Sequence, residues 1–349
     1  MTLKEAFETD FLMGAAINTW QLNGDGVYKK AKDQLLKHFN SITFENQMKP
    51  ETMISLKSQE LADTSQVVID EEFLGEMLQM AQDLGLKVRG HCLLWHNQTP
   101  KWFFCKDYDL SQEKASKEVM RSRLESYIRS ILTFCKENYP GLVYAWDVCN
   151  EVIYDDGKAR TQSPWYECYG DDSYVEDAFT FARKYAQEGV SLFINDYNEY
   201  QEPKHQGYYQ KAKELYEKGL IDGVGMQSHY LLDEPEIKEV QRAMEHFDSI
   251  DPGKIQIQLT EIDVHNPVEP KEEREKFENK YRQLFEILIQ ERRENQVNIT
   301  SVTFWGLGDK DSWLTYFRKE NSRPLLFDEN YEEKPLVEEL MNMASLQQG

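Results

Sequence analysis

Short apolar or β-branched segments alternate along this chain with longer segments whose apolar positions recur at helical spacing. Strands are predicted at residues 11–18, 41–46, 87–95, 144–151, 191–197, 223–230, 255–263 and 301–307. Helices are predicted at residues 27–38, 71–84, 112–138, 175–188, 205–218, 236–247, 271–294 and 336–343. This makes about eight strand–helix units, the number that closes a (β/α)8 barrel.

A doubly wound open sheet is the alternative α/β architecture. It commonly carries a glycine-rich phosphate-binding turn after its first strand, and no such turn follows residues 11–18. No Pro/Gly/Ser-rich linker or low-complexity segment divides the 349 residues. We therefore predict an α/β fold of the TIM-barrel type, with one domain covering residues 1–349.

The charge balance narrows the range of partners. Asp and Glu outnumber Lys and Arg by 62 to 40, for a formal net charge of -22. Phosphates would be repelled over most of such a surface, so we expect no nucleic-acid partner and no binding to anionic membranes. The sequence leaves the oligomeric state open, with a homodimer as one alternative.

The N-terminus and the cysteines bear on localisation. The first residues, MTLKEAFETDFLMGAAIN, carry acidic groups where a signal peptide needs a basic region and an apolar core, and no run is long enough to span a membrane. The five cysteines are odd in number, widely spaced and without a CxxC pair, which is typical of reduced thiols rather than of a disulfide framework or a zinc site. We expect a cytoplasmic protein, unless an export segment is missing from this sequence.

Nearly every predicted strand ends in polar or aromatic side chains able to do chemistry. In a TIM barrel the active site lies at the carboxyl ends of the strands, so these groups should converge on one bowl. The groups are Glu45-Asn46, His91 through His96, Asn150-Glu151, Asn195 to Tyr197, Gln227 to His229, Glu261 and Trp305.

Two glutamates stand out among these strand ends. Glu151 ends the fourth strand and Glu261 lies on the seventh, and these strands face each other across the barrel mouth. Carboxyl groups about 5–5.5 Å apart would suit retaining glycoside hydrolysis, whereas a wider gap would admit a water molecule and give inversion. Asn150 could bond a sugar 2-hydroxyl or fix the neighbouring carboxylate, and His229 could keep Glu261 ionised.

A metal site is the competing interpretation for His91, His96 and Asp147. The two histidines of HCLLWH lie five residues apart, hence on opposite faces of a strand. That placement is poor geometry for metal ligands, and we expect no metal.

Five motifs, taken together and in order, resemble the family 10 glycoside hydrolases, the endo-1,4-β-xylanases. They are ITFENQMKPE, HCLLWHNQTP, WDVCNE, GMQSHY and LTEID, and the resemblance covers about residues 15–336. It implies a (β/α)8 barrel, a retaining mechanism and no cofactor or metal. With no export signal and no carbohydrate-binding module in sight, the sequence is similar to the intracellular branch, whose substrates would be soluble xylo-oligosaccharides.

The resemblance also assigns roles to residues. Glu151 in WDVCNE would be the acid/base, and Glu261 in LTEID would be the nucleophile that forms a covalent glycosyl-enzyme. The substrate-binding residues would be Glu45, Asn46, Lys49, His91, Trp95, Gln98, Asn150, Tyr197, Gln227, His229, Trp305 and Trp313.

Some of these positions have structural alternatives. Glu45 and Lys49 could form an ion pair instead of binding sugar, and Trp20 and Trp146 are interpreted mainly as packing residues. The bulk of Gln98 and Trp305 would leave little room for a hydroxymethyl group, which favours pentoses over hexoses. The rival functions are a different retaining glycosidase, such as a cellulase, and a sugar-binding barrel without turnover.

Overall fold

Parallel strands form the centre of this computed structural model, which describes residues 1–267 and 271–346. Its strands are β1 (Leu12–Ile17), β2 (Ser41–Phe44), β3 (Lys87–Trp95), β4 (Val143–Asn150), β5 (Ser191–Asp196), β6 (Gly223–Met226), β7 (His229–Leu231), β8 (Gln256–His265) and β9 (Ile299–Phe304). They neighbour one another in the order β6-β5-β4-β3-β2-β1-β9-β8-β7, and β6 also pairs with β8. That last pairing closes a ring of eight strands, with β7 added outside it.

The closed ring confirms the predicted (β/α)8 TIM barrel and excludes the open sheet. Every strand pairing within the ring is parallel, including the pairing of β1 with β9, which joins the two ends of the chain. The carboxyl ends of all eight strands therefore open on one face.

Helices connect the strands and cover the outside of the barrel. They are α1 (Leu3–Ala6), α2 (Thr19–Asn23), α3 (Lys29–His38), α4 (Pro50–Met53), α5 (Glu71–Asp83), α6 (Lys117–Asn138), α7 (Pro164–Tyr169), α8 (Ser173–Tyr185), α9 (Lys204–Glu217), α10 (Ile237–Asp248), α11 (Lys271–Arg293), α12 (Leu314–Arg318) and α13 (Pro335–Leu346). Short 3-10 helices lie at Gly26–Tyr28, Leu56–Glu60, Lys101–Phe104, Lys106–Tyr108 and Asp309–Asp311. No helix in the described part of the chain is both long and apolar enough to cross a bilayer.

Side-chain caps explain where two of the longer helices begin. The Asp70 carboxylate accepts a hydrogen bond from the backbone N–H of Phe73 at 3.1 Å. Asp70 thus caps α5, which starts at Glu71, as predicted. α6 starts after Ser116 rather than at residue 112, because Lys114 forms a β-bridge with Cys105 and cannot be helical. The predicted start was therefore five residues too early.

The sixth predicted strand is in fact two strands. Residues 223–230 were expected to be continuous, but Ser228 has φ 63°, in the left-handed region, and separates β6 from β7. In one continuous strand, the side chains of Gln227 and His229 would point to the same face. The break at Ser228 removes that constraint, so the two side chains can enter the barrel mouth from different directions.

An ion pair fills the barrel below its mouth. Both carboxylate oxygens of Asp147 on β4 accept hydrogen bonds from the Arg89 guanidinium on β3, and Arg89 Nε also bonds Gln258 Oε1 at 2.7 Å. Arg89 and Asp147 are 1% and 0% exposed, so each needs the other to offset its desolvation. Asp147 also accepts from His91 Nδ1 at 2.8 Å, which links the ion pair to the floor of the site above.

The two tryptophans interpreted as packing residues differ. Trp146 is 1% exposed and lies so close to Gly90 that a Cβ at that glycine would come within 2.3 Å of the indole ring. The prediction is confirmed for Trp146. It is wrong for Trp20, which is 46% exposed, because α2 buries its Gln21 and Leu22 side instead.

Candidate active site

A cavity of about 490 Å³ opens at the carboxyl ends of the barrel strands. All the residues that the sequence assigned to catalysis or substrate binding line it. Further lining residues are Asn97, Asn198, Tyr230, Asp263, Leu314, Phe317 and Arg318. The structure therefore brings the predicted side chains together at one place.

Four residues in or beside the lining of this cavity have unusual backbone conformations, and Ser228 is the one that lies between the lining residues Gln227 and His229. Gln98, Glu151, Asn198 and Ser228 have φ values of 42°, 59°, 51° and 63°, in the region that non-glycine residues rarely occupy. Each follows shortly after a barrel strand. Such strain persists only where the surrounding contacts hold it, and it clusters at functional sites.

Glu151 is held in an environment that favours its protonated form. Its Oε2 accepts from Trp95 Nε1 at 2.9 Å, and its Oε1 accepts from Gln227 Nε2 at 3.1 Å. Burial raises the pKa of this carboxyl, and the nearby negative charge of Asp196 raises it further. Glu151 is therefore suited to keep a proton that an ordinary glutamate would have lost.

Glu261 is held in the opposite way. His229 Nε2 lies 3.1 Å from its Oε2, and Asn195 Nδ2 donates to its Oε1 at 2.9 Å. Burial opposes ionisation, but the His229 hydrogen bond and the charges of His91 and His229 outweigh it, so the pKa of Glu261 lies below its ordinary value. Glu261 is therefore suited to remain a carboxylate.

A carboxylate on the far side of His229 keeps this histidine charged. Burial disfavours the imidazolium, but Asp263 Oδ1 at 2.8 Å and Glu261 together raise the pKa of His229 to about 10. The imidazolium thus bridges two carboxylates. Glu261 and Asp263 lie two positions apart on β8, which places both side chains on the same face of the strand.

Amide groups connect the two glutamates. The side-chain oxygen of Asn150 accepts from Gln227 Nε2 at 3.2 Å and from Asn195 Nδ2 at 2.9 Å. Gln227 also bonds Glu151, and Asn195 also bonds Glu261. Because the oxygen of Asn150 is occupied, its amide nitrogen is the atom left to bind a ligand.

A second polar cluster lies at the ends of β2 and β3. Lys49 Nζ donates to Asn46 Oδ1 at 3.0 Å and to Gln98 Oε1 at 2.9 Å, and it lies 4.8 Å from the centre of the Trp95 ring. Glu45 accepts instead from Asn18 Nδ2 at 3.0 Å. Lys49 therefore bonds amides and not Glu45, which contradicts the ion-pair alternative.

Aromatic rings pack against His91 and His229, the two histidines beside Glu261. The edge of Trp305 meets His91 at a centroid distance of 5.2 Å, and Trp313 lies 5.0 Å from His229 and donates its Nε1–H to Asp263 at 2.8 Å. Phe317, 67% exposed, packs on Trp313 at 4.7 Å. The cavity thus combines carboxylates, amides and flat apolar faces, a composition that suits sugars.

Within the described residues, the metal alternative has one partial candidate. His91, Asp147 and Glu261 offer ligand atoms within 4.8 Å of one another. The Asp147 oxygens are already bonded by the Arg89 guanidinium, so a metal ion would have to compete with a buried cation. His96 takes no part in this group, and its Nε2 lies 4.0 Å from Glu151 Oε2.

Sequence reasoning placed Asn195 and Asp196 among the strand ends that converge on the site but gave them no role, and it missed the roles of Asp263 and Arg160. Asp263 had a signal, since it lies near the end of a barrel strand. Asp196, which affects the charge state of Glu151, is buried in an ion pair with Lys204 at 2.7 Å. Arg160 lies in the loop after β4, and the pattern of the sequence gives no sign of its contacts.

A (β/α)8 barrel with two glutamates at its mouth, Glu151 partly exposed and biased toward the acid and Glu261 buried and biased toward the carboxylate, is the arrangement of a glycoside hydrolase. A family model described as Glycosyl hydrolase family 10 matches residues 2–343. The chain belongs to this family, as the five motifs indicated.

Named relatives agree with this assignment. Endo-1,4-beta-xylanase B of Butyrivibrio fibrisolvens is 42% identical over 339 residues, which cover 96% of this chain and 52% of that protein. The crystal structure of the N-terminal xylanase 10B of Clostridium thermocellum, complexed with xylohexaose, matches with a TM-score of 0.86 and 32% identity, over 98% of this chain and 67% of that one. An intracellular xylanase from Thermoanaerobacterium saccharolyticum matches with a TM-score of 0.83 and 33% identity, over 97% of both chains. The chain spans about half the length of the Butyrivibrio protein.

Proposed function

We propose that this protein is a retaining endo-1,4-β-xylanase that acts by double displacement. The observation that carries the proposal is that two glutamates in one cavity have opposite environments. Trp95 and Gln227 give Glu151 neutral donors and burial raises its pKa, whereas the hydrogen bond with His229 lowers the pKa of Glu261. The xylanases among its relatives support the choice of substrate.

In the first step Glu151 donates its proton to the leaving glycosidic oxygen while Glu261 attacks the anomeric carbon. The C–O bond to the leaving sugar breaks and a covalent glycosyl–Glu261 bond forms. In the second step Glu151, now a carboxylate, takes a proton from water, and the resulting nucleophile displaces Glu261. Two inversions at one carbon leave the configuration retained.

The other lining residues bind and select the sugar. The amides of Asn46 and Gln98 and the Lys49 ammonium offer donors and acceptors for sugar hydroxyls, and they satisfy one another when no sugar is bound. Gln98 and Trp305 both line the cavity, and we propose that their bulk excludes the hydroxymethyl group of a hexose.

The proposal is tested by the product profile on xylotriose to xylohexaose, with the anomeric configuration followed by NMR. We expect β-products to appear first, and initial α-products would refute the retaining mechanism. The Glu261→Gln variant should fold as the wild type does and lose hydrolysis, so substantial turnover by it would refute the role of Glu261. Comparison of aryl xylobiosides with aryl cellobiosides separates a xylanase from a cellulase, and absence of any turnover would leave a sugar-binding barrel.

We further propose that the protein is of the intracellular type, cytoplasmic and selective for soluble xylo-oligosaccharides. The likeness to the Thermoanaerobacterium enzyme, whose description calls it intracellular, supports this. All five cysteines are free thiols, as expected in a reducing compartment. Fractionation of the source cells locates the activity, and a higher kcat/KM on insoluble xylan than on xylohexaose would contradict the substrate preference.

Three expectations from the sequence stay predictions. They are a homodimer as one alternative for the assembly, hydrolysis without cofactor or metal, and one domain over residues 1–349, of which residues 268–270 and 347–349 lie outside the described ones. Sedimentation analysis, activity after dialysis against a chelator and limited proteolysis test them in turn.

A further inference from the structure

Arg160 lies in the loop after β4 and turns back toward the strand end that carries Glu151. Its backbone N–H donates to Val152 O at 2.9 Å, and Ile153 forms an antiparallel bridge with Ala159, so residues 152–160 make a small hairpin. Arg160 is only 7% exposed and does not line the cavity. Its side chain therefore acts on neighbouring residues rather than on a bound sugar.

The guanidinium contacts the backbone of Glu151 directly. Arg160 Nε donates to the Glu151 carbonyl oxygen at 2.7 Å, while the Glu151 N–H donates to Asn195 O at 2.8 Å. Both backbone groups of Glu151 are thus fixed, on either side of a φ of 59°. A glutamate would leave this strained conformation unless such contacts held it.

The same guanidinium contacts the wall of the cavity. Arg160 Nη2 donates to the hydroxyl of Tyr197 at 3.0 Å. Lys204 Nζ lies 3.2 Å from the centre of the Tyr197 ring and forms an ion pair with Asp196 at 2.7 Å. One buried side chain therefore joins the backbone of Glu151 to a ring that lines the site.

We propose that Arg160 is a positioning residue that holds the proton-donating carboxyl of Glu151 and the Tyr197 ring in fixed relation, so that the proton is delivered to the leaving oxygen. The inference rests on the proposed function, in which Glu151 is the acid. A planar fork of N–H donors reaches the carbonyl and the phenol at once, which the single ammonium of lysine does not reproduce.

The test is a series of aryl β-xylobiosides whose leaving phenols range from acidic to weakly acidic. Misplacement of the acid matters only where the leaving group needs its proton. For Arg160→Lys and Arg160→Met we expect kcat/KM to fall about 10- to 100-fold on the poorest leaving groups and less than about threefold on dinitrophenyl xylobioside. A plot of log kcat/KM against the pKa of the leaving phenol should be steeper for Arg160→Met than for Arg160→Lys.

Arg123 provides a matched control in α6. It is fully buried, donates to the carbonyl oxygens of Thr64 and Phe103 at 2.7 and 2.6 Å, and lies over the Tyr108 ring at 3.8 Å. Arg123→Met should lower the melting temperature and change kcat/KM by the same factor for every substrate in the series. Should Arg160→Met fail to fold, the Lys variant still gives the slope.

If the Arg160 variants lost kcat/KM equally on all the aryl xylobiosides, the inference would be overturned. The absence of any loss in kcat/KM would overturn it as well. Glu151→Ala, measured on the same substrates, separates this failure from failure of the proposed function. If that variant steepens the slope and the Arg160 variants do not, only the role of Arg160 is wrong. If Glu151→Ala shows no leaving-group dependence, the proposed function is wrong as well.

Discussion

Replacing His229 tests how the nucleophile is kept ionised. The imidazolium bridges Glu261 Oε2 at 3.1 Å and Asp263 Oδ1 at 2.8 Å. Because these carboxylates raise the pKa of His229 to about 10, the ring is protonated at neutral pH. An asparagine at this position places its amide near the site of Nδ1 and contacts only Asp263. A glutamine places its amide near the site of Nε2 and keeps a neutral donor to Glu261.

The size of the effect follows from the bond that is lost. A hydrogen bond to a charged group contributes about 1.5–3 kcal/mol, and one pKa unit corresponds to about 1.36 kcal/mol. His229→Asn should therefore raise the pKa of Glu261 by about 1–2 units. Glu261 is 6% exposed, so solvent screens little of this change. For His229→Gln, which loses the charge but keeps the bond, we expect a smaller rise.

The assay is the pH dependence of kcat/KM on an aryl xylobioside. Activity is lost on the acid side as pH falls through the pKa of Glu261, so a raised pKa moves this limb to higher pH. The Asn variant should move it further than the Gln variant, while the alkaline limb, which reports Glu151, stays nearly fixed. An acid limb at the wild-type pH in His229→Asn would refute the assignment of His229 as the group that keeps Glu261 ionised.

Four further predictions follow from other contacts. Asp196→Asn removes a charge that raises the pKa of Glu151, so the alkaline limb should move to lower pH in the same profile, while Lys204 keeps Asp155 at 3.7 Å as an acidic partner; a move upward contradicts this. Glu151→Ala should lose far more activity on poor leaving groups than on activated ones, and equal losses on both count against an acid role. Gly90→Ala should lower the free energy of unfolding by about 1–3 kcal/mol in urea titration, since its Cβ would overlap Trp146, and an unchanged midpoint would contradict that close approach. Phe317→Ala should raise KM for xylohexaose about 2- to 10-fold with little change in kcat, as expected for loss of a stacking face, and an unchanged KM would show that sugars do not reach it.

The barrel was predictable because its signals are local. A buried strand needs an apolar run, an amphipathic helix needs a period of 3.6, and eight repeats of the pair leave few alternatives. The exceptions have local causes that apolar patterning does not report. Ser228 breaks a strand through its own φ of 63°, and the bridge at Lys114 delays a helix that the pattern alone would start earlier.

The lining of the site was predictable for a related reason. Strand ends converge by topology, so polar residues at those positions, such as Glu151 and Glu261, could be placed together without knowing any distance. The sequence could not predict which side chains set the ionisation of the two glutamates or fix their position. Asp196 and Arg160 act on Glu151 through contacts between segments, and such pairings arise only once the chain is folded.

The Arg89–Asp147 ion pair inside the barrel has a consequence for engineering this protein. The charges that set the ionisation of Glu261 belong to strands, through Asp147 and His91 on one side and His229 on the other. The outer wall of the cavity, by contrast, includes α12, a surface helix of five residues. The part of the cavity wall that α12 forms therefore supplies none of these charges, and exchanging the Leu314–Arg318 helix for other sequences should alter substrate binding while the ionisation of Glu261 stays the same.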